Sequence, residues 1–188
     1  MNLLHRRVCG SNRWAAHVRD DVIPWTLEGV DLGAAALELG PGPGRTTEVL
    51  LGRVEHLTAL EIDGSAVTAL KSRLPDPRLN VVEGDATAMP FPDESFSGAV
   101  CLTMLHHVPS PSAQDRLFAE TFRVLQRGAT FAGSDGLGTI AFRLIHLFDT
   151  LVPIDPATLG ARLKAAGFID VDVDTLRSRL RFSARRPA

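Results

Sequence analysis

From residue 34 onward the chain alternates short apolar runs with amphipathic stretches, and that alternation restricts the fold more than any other feature. Residues 34–39, 56–62, 79–82, 96–104 and 129–133 have the length and apolar content of buried strands. Residues 45–53, 65–73, 112–126, 139–150 and 156–166 show helical spacing, the last ending at Gly167. Strands separated by helices imply βαβ units, and so a parallel sheet covered on both faces. Residues 168–173 and 176–184 read as two closing strands with too little chain between them for a crossover helix, so they pair antiparallel. An α/β, doubly wound, mostly parallel seven-stranded sheet with an antiparallel last strand is expected. Ahead of it, Leu3, Leu4, Val8, Trp14, Val18, Val22 and Trp25 recur near helical spacing, with Gly10 and Pro24 as interruptions. Residues 1–33 are therefore expected to form a helical cap and residues 34–188 the core of one domain.

A chain of 188 residues, 45% hydrophobic and 22% charged, has ordinary globular composition and needs no staple to hold a core. Its two cysteines, Cys9 and Cys101, are too few for a disulfide framework or a cysteine zinc site, and no metal is expected. The start lacks a secretory h-region, and the apolar stretch 139–154 is broken by Arg143, His146 and Asp149, which rules out a spanning helix there. A soluble, cytoplasmic protein is the expectation. Aromatics are 6% with no Tyr, a poor endowment for stacking nucleobases. The net charge of -2 conceals a pattern: residues 1–19 carry four Arg and residues 175–188 five, neither with an acid, so the 155 residues between sum to -11. Arg177, Arg179 and Arg181 alternate with apolar residues on one strand face; they are read as a half-exposed edge, or, joined with Arg6, Arg7, Trp14 and Trp25, as a surface for RNA or a peripheral contact for anionic membrane.

The strongest local signal is Leu37-Glu38-Leu39-Gly40-Pro41-Gly42-Pro43-Gly44-Arg45-Thr46. A strand enters three glycines at alternate positions and leaves into a helix, so the loop turns tightly and lets a ligand approach its backbone. The spacing is not a dinucleotide fingerprint, which would place the third Gly at Arg45, and no Lys-Ser or Lys-Thr follows to make a Walker loop. Glu61 closes the second strand 23 residues after Glu38, where a carboxylate accepts both hydroxyls of a ribose. Asp85 follows the third strand, placed to accept from an exocyclic amine. Asp63, directly before a helix in Asp63-Gly64-Ser65, reads as an N-cap instead.

These segments resemble motif I and the following strand ends of class I S-adenosylmethionine-dependent methyltransferases, over about residues 34–135. The likeness takes in Leu60-Glu61-Ile62-Asp63, Gly84-Asp85-Ala86, and a fourth strand running into Leu105-His106-His107. Within that class the chain resembles the type 11 methyltransferases, of the ubiquinone and menaquinone biosynthesis kind. The resemblance implies a Rossmann-like fold and S-adenosylmethionine as cofactor, leaving as S-adenosylhomocysteine. It implies cofactor contacts at Glu38, Gly40, Pro41, Gly42, Gly44, Thr46, Glu61, Ile62, Asp85, Ala86 and Leu102. The run from Glu38 to Asp85 also resembles ribosomal RNA adenine dimethylases. Those enzymes hold the target amine with an Asn-Leu-Pro-Tyr type motif, where this chain has Cys101-Leu102-Thr103-Met104. A small-molecule or lipid-like acceptor is therefore the expectation, with nucleic acid disfavoured. An RNA methyltransferase and a non-catalytic cofactor-binding protein are the alternatives. His107 and His106 are the expected catalytic residues if the acceptor must lose a proton; Asp135 and His146 are weaker candidates.

Overall fold

A computed structural model of the chain describes residues 10–147 and 149–188, so expectations resting on Leu3, Leu4, Arg6, Arg7, Val8 and Cys9 lie outside the described residues. Seven strands form one sheet: β1 (Ala35–Leu39), β2 (His56–Glu61), β3 (Leu79–Glu83), β4 (Phe96–Leu102), β5 (Leu125–Gly136), β6 (Ile169–Leu176) and β7 (Arg179–Arg185). Their order is β3-β2-β1-β4-β5-β7-β6, with β7 antiparallel to both of its neighbours and every other pairing parallel. The chain starts mid-sheet at β1, winds outward to β3, then returns beside β1 with β4. Loops leaving β1 and β4 therefore diverge, opening a crevice at the carboxyl ends of the strands.

The helices are α1 (Asn12–His17), α2 (Ile23–Thr26), α3 (Arg45–Leu50), α4 (Gly64–Arg73), α5 (Pro111–Val124), α6 (Ile140–Ile145) and α7 (Pro156–Ala165). Alternation along the central strands divides the core between the two faces. Leu37, Leu39, Ala99 and Cys101 face one side, with Leu117 and Phe118 of α5 and Leu159 and Leu163 of α7. Ala36, Val100 and Leu102 face the other, with Val18, Val22, Ile23 and Leu27 from the N-terminal segment and Leu50 of α3. The N-terminal helices thus share a core with the sheet. Pro24 does not interrupt them. A π turn, Val18–Val22, precedes α2 and widens the backbone where proline has no N–H to donate.

Three expected boundaries shift. Residues 139–150 do not form one helix; α6 spans six residues from a Thr139 cap. At its end His146 Nδ1 lies 2.7 Å from the Phe142 carbonyl oxygen, so the side chain takes the acceptor that a continuing helix would give to its backbone. Strand β5 starts directly at Leu125 instead of residue 129, because Leu125 already pairs with Phe96. Arg177 sits in the β6–β7 turn with φ +56, off the strand that carries Arg179 and Arg181.

The basic C-terminal end is largely engaged internally. Arg179 and Arg181 stack on Trp25, with guanidinium carbons 4.9 and 5.2 Å from its ring centroid. Arg181 donates to the Trp25 carbonyl (2.6 Å) and to Glu28 (2.9 Å). Arg185 pairs with Asp170 and Arg186 with Glu94. These residues pin β7 to α2 and to the neighbouring strand and loop. Among the described residues no helix is long and apolar enough to cross a membrane.

Candidate active site

Strand β1 delivers the glycine loop to the crevice. Gly40, Gly42 and Gly44 have φ of +65, +52 and +76, a region costly for any side chain. Space is as restrictive as conformation at two of them: a Cβ on Gly40 would stand 2.2 Å from Met104 Cγ, and one on Gly44 2.3 Å from Leu70 Cδ1. Beneath the loop, Glu38 is fully buried, its carboxylate taking hydrogen bonds from the Thr46 hydroxyl and, at 2.7 Å, the Thr47 hydroxyl. Burial is the largest influence on this acid and pushes its pKa up to about 7; the two hydroxyl donors oppose the rise, and nearby Glu61 adds to it. Glu38 therefore ties the strand end to the start of α3, and it does not line the cavity described below.

At the end of β2, Glu61 accepts the Gly42 N–H (3.0 Å) and the Asp63 N–H (3.1 Å), which orients its carboxylate toward the loop. Asp63 caps α4, accepting from the Ser65 and Ala66 N–H groups, as its position before the helix predicts. Asp85 accepts the Thr87 N–H at 2.7 Å in the turn after β3.

One cavity of about 830 Å³ occupies the crevice. Of the expected cofactor residues, Gly40, Pro41, Gly42, Thr46, Glu61, Ile62, Asp85, Ala86 and Leu102 line it, while Glu38 and Gly44 stand behind its wall. Trp14, Met104, Arg116, Asp149 and Thr150 also line it, and sequence reasoning did not find them. Met104 had a signal, lying two residues past a strand end. The others come from segments distant in the chain, with no local motif to betray them.

The two expected catalytic histidines part company. His107 lines the cavity, its Nδ1 3.3 Å from the Thr150 carbonyl oxygen. His106 is 2% exposed, and its ring turns away into the protein. Its Nδ1 lies 2.6 Å from Asp135 Oδ1, and its Nε2 lies 3.0 Å from Nε2 of His146. Asp135 also accepts the backbone N–H groups of His106 (3.0 Å) and Gly136 (2.6 Å). His146 is buried beside them, and desolvation, reinforced by His106, holds its pKa below the ordinary histidine value. The candidates His106, Asp135 and His146 are thus one buried network. The Cys101 thiol, also buried, is pushed well up by desolvation and offers no nucleophile.

Comparison with known proteins bears on this geometry. The sequence profile of the family described as "Methyltransferase domain" matches residues 37–133. The chain is 37% identical over 129 residues to a ribosomal RNA small subunit methyltransferase A of Bordetella pertussis, covering 60% of this chain and 49% of that protein. It is 32% identical over 122 residues to the ubiquinone/menaquinone biosynthesis C-methyltransferase UbiE of Brucella canis, covering 60% and 44%. The chain thus spans about half the length of these curated relatives. A solved structure of Haemonchus contortus phosphoethanolamine N-methyltransferase 2 in complex with S-adenosyl-L-methionine superposes with a TM-score of 0.73 at 14% identity, covering 85% of this chain and 50% of that one.

Proposed function

The chain belongs to the methyltransferase-domain family, and on that premise we propose that it is an S-adenosylmethionine-dependent methyltransferase acting on a small-molecule or lipid-like acceptor. The observation that carries the reading is the convergence of the left-handed glycine loop, Glu61 and Asp85 on one cavity. Its volume, about 830 Å³, falls in the range of about 300–1,000 Å³ typical of small-molecule sites. The residues present fit the cofactor. Gly40, whose Cβ would drive into Met104, keeps the loop backbone open to a ligand, and the Glu61 carboxylate, already oriented by two backbone donors, is a bidentate acceptor for ribose hydroxyls. Asp85 and the backbone at Ala86 would hold an adenine edge. When bound, S-adenosylmethionine supplies a methyl group activated by its sulfonium charge.

The protein's own task is then positioning. Holding an acceptor in line supplies roughly 7 to 11 kcal/mol of barrier lowering without any covalent step on the protein. His107, Thr103 and Thr150 line the same cavity, and His107 would take a proton from a hydroxyl acceptor. An apolar acceptor is supported by the exposed apolar residues of the segment that leads to the cavity residues Asp149 and Thr150: Ile140 and Leu144 on α6, and Leu147 just beyond it, are 80%, 59% and 53% exposed. Ile62, 68% exposed, is a further apolar residue at the cavity.

An RNA acceptor is the second reading, favoured by the similarity to the Bordetella ribosomal RNA methyltransferase. Against it stand Cys101 and Met104 at the end of β4, where an amine-holding Asn and Tyr would be needed, and the internal pairing of the C-terminal arginines. Titration calorimetry with S-adenosylmethionine and S-adenosylhomocysteine, followed by methyl transfer across phenol and quinol, phospho-base and ribosomal RNA acceptors, tests both. Turnover on a quinol or phospho-base supports the first reading, and turnover on RNA alone replaces it with the second. Binding without turnover on any acceptor leaves a cofactor-binding protein, and failure to bind either ligand removes the proposal.

A further inference from the structure

In the buried network beside the cavity, two histidine ring nitrogens face each other. His146 Nδ1 faces the Phe142 carbonyl oxygen at 2.7 Å, and a carbonyl can only accept, so that nitrogen carries a hydrogen. His107 Nδ1 faces the Thr150 carbonyl oxygen at 3.3 Å in the same way. His106 Nδ1 faces a carboxylate oxygen of Asp135, a group already accepting two backbone N–H groups. With each Nδ1 a donor, Nε2 is the lone-pair nitrogen of each neutral ring. Yet Nε2 of His106 and Nε2 of His146 stand 3.0 Å apart, lone pair against lone pair. A cation held between the two nitrogens relieves that contact.

A third ring stands beside this pair: one ring nitrogen from each of His106, His107 and His146 lies within 4.8 Å of the others. The outer partners are those that fix imidazole ligands on a metal, a carboxylate on one ring and backbone carbonyls on the other two. The geometry points to a divalent-metal site of the zinc class, formed by Nε2 of His106, His107 and His146. Zinc–nitrogen bonds of about 2.0–2.1 Å in tetrahedral arrangement put ligand nitrogens about 3.3 Å apart, so the cluster needs closing by about 1.5 Å at most. His107, the one of the three on the cavity wall, sits on a short 3-10 turn, Leu105–His107, and supplies that adjustment.

Three protein ligands leave a coordination position for a water or an acceptor oxygen, and His107 directs it into the cavity. Ligation would occupy the nitrogen with which His107 otherwise takes a proton, so the loaded site favours an oxygen acceptor through the cation's charge and not through that ring. This inference stands apart from cofactor binding and needs its own readout. Chelator-stripped protein is titrated with Co²⁺, whose tetrahedral complexes absorb strongly in the visible, and then with Zn²⁺ in competition. Saturation at one metal per chain is expected. Loss of the bands in His146→Ala and His106→Ala, and a roughly 10- to 100-fold weaker affinity in Asp135→Asn, are expected as well. S-adenosylmethionine affinity, measured on each variant, reports that the fold survives. Absence of tetrahedral Co²⁺ bands in the stripped wild-type protein would overturn the site, as would metal binding that His146→Ala leaves unchanged.

Discussion

Glu38 offers the sharpest test of the physical reasoning, because its environment makes a signed statement about stability. In the fold its pKa is pushed up to about 7 by burial, against an ordinary value of 4.5. A raised acid binds its proton more tightly folded than unfolded, so its contribution is fully present below about pH 4.5 and is lost as pH rises through about 7. The gap between those values, at about 1.4 kcal/mol for each pH unit, comes to about 3 kcal/mol, of which about 2.5 falls between about pH 5 and about pH 8. The perturbation is Glu38→Gln, which keeps the shape and cannot ionise; the Thr46 and Thr47 hydroxyls can turn to accept from the amide where they donated to the carboxylate. Urea unfolding of both proteins across that range isolates the group, since every other titration cancels in the difference. The stability of the variant relative to wild type should rise by about 2.5 kcal/mol from the acid to the alkaline end. Thr47→Val, which removes a donor that favours the ionised form, should move the wild-type midpoint further upward. A stability difference independent of pH would refute the burial argument for Glu38.

Other expectations follow from contacts already described. Glu61→Ala removes the carboxylate at the ribose end and should cost about 2 to 4 kcal/mol of S-adenosylmethionine affinity, from lost charge-assisted hydrogen bonds; unchanged affinity by calorimetry would reject the ribose assignment. Gly98→Ala would put a Cβ 2.5 Å from the Leu32 carbonyl oxygen and 2.7 Å from its Cα, backbone atoms that cannot swing aside. A loss of about 3 kcal/mol in denaturant unfolding is expected, with wild-type stability as the contrary result. Arg181→Ala breaks the bond to the Trp25 carbonyl and the stacking on its ring, and should lower unfolding stability by about 1 to 2 kcal/mol without touching cofactor affinity. Vesicle binding that falls with this one substitution while stability holds would instead return the arginine to a surface role.

The half of the cavity proposed for the cofactor was legible in the sequence because its chemistry is local to strand ends. A short apolar run, then Gly40, Gly42 and Gly44, or Glu61, or Asp85, places each group at the carboxyl edge of a parallel sheet once the alternation of strands and helices is recognised. Glu38 was found for the same reason, but its partner Thr47 was not, since a threonine in the first turn of a helix has no distinguishing spacing. The packing of the basic C-terminal end was not legible, because strand alternation put Arg179 and Arg181 on one face without revealing that Trp25, more than 150 positions earlier, stacks against them. The acceptor half follows the same logic. Trp14, His107, Arg116 and Asp149 meet only because α1, the turn after β4, α5 and the segment after α6 converge, and no two of them share a motif. His106 and His146, 40 residues apart, likewise looked independent until packing set their rings 4.7 Å apart. Methyltransferase-domain proteins with a common glycine loop can therefore diverge in acceptor by altering contacts of this long-range kind, which the strand-end motifs do not constrain. It follows that substitutions at Trp14 or Arg116 should change acceptor KM while leaving S-adenosylhomocysteine affinity within about threefold, and a larger loss of cofactor affinity in Arg116→Ala than in Glu61→Ala would show that the two halves of the cavity have been assigned the wrong way round.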